Sequence, residues 1–95
     1  MTCAEVLLAH VLALLGRAKE SLGYAERVLQ YCQTNSCEDW DLAFAYLEMA
    51  LASAKGGDTA RHHQFHGLAA AQGAAIKDAE DRAVFLTEFA RIPRA

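Results

Sequence analysis

Proline is almost missing from this sequence, with a single residue in 95, and glycine is sparse at six. With 54% hydrophobic residues, the chain therefore lies far from the polar, proline-rich composition of a disordered segment and is expected to fold. Long hydrophobic runs are also missing. The most apolar stretch, Val6 to Leu15, spans ten residues and includes His10, whereas a bilayer-spanning helix needs about twenty. No membrane association is expected. Basic charge is not in excess: the net charge is −3 and the isoelectric point about 5.7, so there is no positive field to gather phosphates, and nucleic acid is excluded as an expected partner. The opening Met1-Thr2-Cys3-Ala4-Glu5 lacks the cationic start of an export signal. Cys3, Cys32 and Cys37 make an odd number without framework spacing, which suits a reducing compartment and free thiols. A cytoplasmic location is the expectation.

Motifs for chemistry are equally scarce. Gly56-Gly57 is followed by Asp58, whose charge repels the anion that a glycine-rich phosphate loop would hold. No serine stands in recognisable order with a histidine and an acid. Asp78, Glu80 and Asp81 read as helix-start acids rather than a carboxylate pair for proton transfer. Neither enzyme activity nor a cofactor is expected, and a domain this small, burying about 60–65% of its unfolded surface, has little core to spare for a deep pocket.

What is present is helical periodicity. Ala4, Leu8, Val11 and Leu15 recur at helical spacing up to Gly16. From Ala18 to Gln33 the stripe Leu22, Ala25, Val28, Leu29 and Cys32 opposes a charged face. Thr34 to Cys37 reads as a loop, with Ser36 as an expected N-cap. Asp39 to Lys55 is apolar on nearly every side, so it is expected to be the central helix, with Trp40 and Phe44 sharing a face. Asp41, Glu48 and Lys55, spaced by sevens, form its one polar line, expected to face water. Gly56-Gly57-Asp58 turns the chain into a fourth helix, Thr59 to Lys77, rich in small residues from Ala69 to Ala75. Asp78 caps a fifth, Ala79 to Arg91, anchored by Phe85, Leu86 and Phe89 and ended by Ile92-Pro93.

These features predict an all-α domain of about five helices: one antiparallel hairpin over 4–33, a second over 39–77, and a capping helix over 79–91. The turn glycines Gly16 and Gly57 lie 41 residues apart, and at that offset Leu8 falls on Met49, Ala9 on Ala50, Tyr24 on Phe65 and Val28 on Ala69. The pattern resembles two tetratricopeptide-type (TPR-like) hairpins, although its period exceeds the usual one of about 34, and Ser21 and His62 stand where alanine is preferred. The resemblance implies right-handed stacking, with Ala9 and Ala50 as close-approach residues and Tyr24 and Phe65 as gap-filling aromatics. An ordinary helical bundle is the other architecture these features allow.

Two functional expectations follow. The first is a protein–protein interaction module that binds a protein or peptide through Asp41, Tyr46, Glu48 and Lys55, and forms homo-oligomers through the almost wholly apolar first helix at Val6, Leu8 and Leu12. The competing reading of that helix is complete enclosure by the other four. The second is a metal- or small-ligand-binding bundle using His62 and His66, four residues apart on one helical face.

Overall fold

A computed structural model describes residues 3–35 and 38–93, with side chains in the first helix described from Leu8 onward. The described residues are all-α, with five helices: α1 (Cys3–Leu14), α2 (Ala18–Thr34), α3 (Asp39–Gly56), α4 (Thr59–Ala74) and α5 (Ala79–Phe89). α3 touches all four others, while α1 meets α2 and α3, and α5 meets α3 and α4. Pairings such as Ser21 with Ala9, Gly56 beside Ala18 and Tyr46 beside Phe65 run in opposite senses along neighbouring helices. Phe44 on Phe85 and His10 on Glu48 join helices of like direction. α1, α3 and α5 thus run one way, and α2 and α4 return.

The two hairpin turns share one device. Gly16 and Gly57 adopt φ of 78° and 76°, and the following amides, Arg17 and Asp58, reach back to Leu12 O and Ser53 O at 2.9 Å, closing each helix with a left-handed glycine. A Cβ at Gly57 would meet nothing within 4 Å, so its requirement for glycine is one of backbone conformation alone. Gly57→Ala is expected to destabilise the fold by about 1–2 kcal/mol, the strain of a left-handed alanine, read as a lowered midpoint in thermal unfolding.

The other helix ends follow local and long-range rules in turn. Asp58 and Asp78 cap α4 and α5, accepting from the amides of Arg61 and Asp81 at 3.1 and 2.9 Å. α3 instead begins at Glu38, whose side chain makes no capping bond; the expected cap, Ser36, lies outside the described residues, as does Cys37. α4 stops at Ala74 rather than Lys77. Ile76 turns into the core, Lys77 N–H donates to Asp39 Oδ2 at 2.9 Å, and Arg82 Nη1 donates to Ile76 O at 2.9 Å. Tertiary partners thus replace the last helical turn.

The core forms two clusters either side of α3. Ala9, Ala25, Val28, Leu29, Ala45 and Met49 join α1, α2 and α3. Leu47, Leu51, Ala69, Ile76, Phe85 and Ile92, with Ala13 of α1 and alanines of α3, join α3, α4 and α5 and reach α1. Tyr46 and Phe65 pack against both. In the small-residue run of α4 only Ala69 and Gly73 are buried, because only they face α3 and α5, while Ala70, Ala71, Ala74 and Ala75 are exposed. One expectation is corrected here, the anchor at Leu86: it is exposed, since its position lies off the side of α5 that carries Phe85 and Phe89 inward.

Candidate interaction surface and buried polar network

The polar line of α3 does not face water as a unit. Lys55 is exposed and Asp41 half-buried, but Glu48 is only 2% exposed. The heptad spacing gives the direction in which Glu48 points. That direction lies between α1 and α5, which close over it. Ala9 and Ala13, both fully buried, let α1 lie close along α3 and bring His10 Nδ1 to 3.0 Å from Glu48 Oε1. From α5, Glu88 Oε2 lies 3.9 Å from His10 Nε2, and Arg91 Nη1 pairs with Glu88 at 3.3 Å. Tyr46 is half-buried and packs on Phe65, ring centroids 6.2 Å apart. Of the four residues expected to meet a partner, Glu48 is therefore the one withdrawn from the surface.

The network carries its own electrostatics. Glu48's second oxygen, Oε2, is buried without a hydrogen-bond partner among the described residues, a costly arrangement for a charged group. Burial accordingly holds the Glu48 carboxyl above its ordinary range even against the pull of His10. The hydrogen bond to Glu48 raises His10 in turn, outweighing the opposing effect of its own partial burial, with Glu88 adding to the rise. The sequence contained a signal for this pair. His10 and Glu48 are polar interruptions in two helices otherwise apolar nearly all round, and such residues need partners when buried.

α1 also carries the most exposed apolar face. Leu8 is 40% exposed, Val11 41%, Leu14 62% and Leu15 67%, and among the described side chains of α1 none on this face is charged. Complete enclosure of α1 by the other helices is therefore overturned. Of the residues expected to self-associate, Leu8 is exposed, but Leu12 is turned inward and 6% exposed, since it lies on the side of α1 that also carries Ala9 and Ala13. Val6 lies in α1 among the side chains outside those described.

His62 and His66 do come together, ring centroids 6.0 Å apart and edge to face. Their surroundings are structural. His62 Nε2 lies 2.7 Å from Pro93 O, holding the segment after α5, and His66 sits 4.6 Å from the ring of Phe89. Among the described residues no three His, Cys, Asp or Glu side chains gather into a metal-holding group. No described helix is long and apolar enough to cross a membrane. Comparison with known proteins finds no matching family model, no matching curated protein and no matching solved structure.

Proposed function

We propose that this chain is a non-enzymatic protein–protein interaction module that self-associates through the outward face of α1. The observation that carries the reading is the uncharged apolar strip of Leu8, Val11, Leu14 and Leu15, left uncovered at the edge of the fold. A second copy fits it because a two-fold pairing of the strip sets apolar side chains against their own kind, with no like charges opposed. TPR-like stacking is part of the proposal. Its support is the 41-residue correspondence, in which Gly16 and Gly57 share the left-handed conformation, Ala9 and Ala50 are both fully buried, and Tyr24 and Phe65 both pack against the core.

Light scattering at micromolar concentration is expected to give a mass above that of the 10.3 kDa monomer. Leu15→Glu, which adds charge to the strip without touching the core, is expected to weaken association at least about tenfold, as a single interface residue worth about 1.4 kcal/mol would. A strictly monomeric wild-type chain overturns the reading. Leu12→Glu is not a suitable variant, because it places a charge inside the fold.

A further inference from the structure

The His10–Glu48–Glu88 network goes beyond the apolar strip and does not depend on what covers it. His10 lies on α1, Glu48 on α3 and Glu88 on α5. Among the described residues the backbones of α1 and α5 do not approach closely; the two helices meet through side chains, Ala13 in the core cluster of Phe85 and the His10 imidazole between Glu48 and Glu88. One ring nitrogen lies 3.0 Å from Glu48 and the other 3.9 Å from Glu88. The first is a hydrogen bond and the second an ion-pair approach beyond hydrogen-bond reach, and two carboxylates facing one ring favour its charged form over the neutral one.

We propose that His10 is a protonation latch: charged, it ties α1 to α3 and α5; neutral, it loosens α1 from the bundle. Of the described side chains that α1 buries, two are alanines, Ala9 and Ala13, and one is Leu12, so the polar clamp adds to a modest described apolar contact. Once the imidazole is neutral, Glu48 is a buried carboxylate with no cation, one oxygen unpartnered, and Glu88 nearby as a like charge. Opening α1 returns that carboxylate to water.

Among the described residues the charged groups around the latch are few. From α3 there is Glu48, and from the α5 end Glu88 with Arg91, the last opposing the imidazolium. α2 presents Ser21, whose hydroxyl donates to Ala9 O at 2.6 Å. Its own charges are exposed and engaged elsewhere or turned to solvent: Arg17 with Glu20, Glu26 with Arg61, Arg27 over Tyr24, and Lys19 exposed. The sign is the same for both members of the pair. Each holds its proton more tightly folded than unfolded, so the stabilisation is present at low pH and is lost as pH rises through the folded values, which lie above the ordinary 4.5 of Glu48 and 6.5 of His10.

The test is amide hydrogen exchange on the full chain at pH 5.5 and pH 8.5, with rates corrected for intrinsic exchange and α1 compared with α4 in the same sample. The expected result is a fall of about tenfold in the protection of α1 relative to α4 at the higher pH, the weight of one pKa unit. His10→Asn, which leaves the outer strip of α1 intact, is expected to remove that pH dependence. A constant α1-to-α4 ratio in the wild type overturns the proposal, as does an unchanged dependence in His10→Asn. Should the variant not fold, an NMR titration of the wild-type His10 ring decides instead: α1 amide shifts that follow the ring support the latch, and shifts that ignore it overturn it. Because α1 protection is read at one protein concentration in every arm, a failure of self-association leaves this result intact.

Discussion

Phe85→Ala is expected to lower the stability of this domain by about 3–5 kcal/mol, the usual cost of emptying a phenylalanine site in a core. Phe85 is completely buried, stands edge-on to Phe44 at 5.4 Å and stacks on Phe89 at 5.6 Å. It thereby holds α5 to α3. Its seat on α4 is Gly73, where an added Cβ would lie 2.1 Å from the ring's Cε1. Gly73→Ala cannot be accommodated unless the ring moves, so a helix-favouring substitution is expected to destabilise by about 1–3 kcal/mol through overpacking. Urea unfolding followed by far-ultraviolet circular dichroism checks both. A midpoint for Gly73→Ala at or above that of the wild type would show that the ring of Phe85 does not rest there.

The second large effect is at Glu48. Glu48→Lys is expected to cost about 3–5 kcal/mol, the range for leaving a buried charge uncompensated, because an ammonium would stand in a dry site facing His10. For a domain of this length the total stability is about 5–14 kcal/mol, so the variant is expected to be largely unfolded or close to it. Lys55→Glu, on the same line of α3 but exposed, is expected to change stability by less than about 1 kcal/mol. Glu48→Gln keeps an oxygen for His10 and should fall between them. Equal and small effects at positions 48 and 55 would mean that the line is solvated along its whole length.

Much of the fold was legible in the residues. The apolar stripe of α2, the enclosed character of α3, the left-handed glycines at 16 and 57 and the caps at Asp58 and Asp78 all arise within about one helical turn of chain, where local sterics and hydrogen bonding decide the outcome. Misreadings came where a distant segment intervened. α4 was shortened because Asp39 and Arg82 take up the backbone of residues 76 and 77. Leu86 is exposed because only one side of α5 meets a neighbour.

The candidate site divides in the same way. That α1 lacks a polar half, and so leaves an apolar strip over, can be read from its composition. Periodicity gave Glu48 its direction on α3, but a helix's own spacing carries no information about which other helices lie in that direction. Only the close approach of α1 over Ala9 and Ala13, and the placement of α5 by Phe85, turn an expected water-facing acid into a buried partner of His10. The sequence by itself determined where helices begin, turn and hide their apolar sides, because those are short-range properties. The tertiary structure decided which polar groups are removed from water, because desolvation depends on what the rest of the chain places around them.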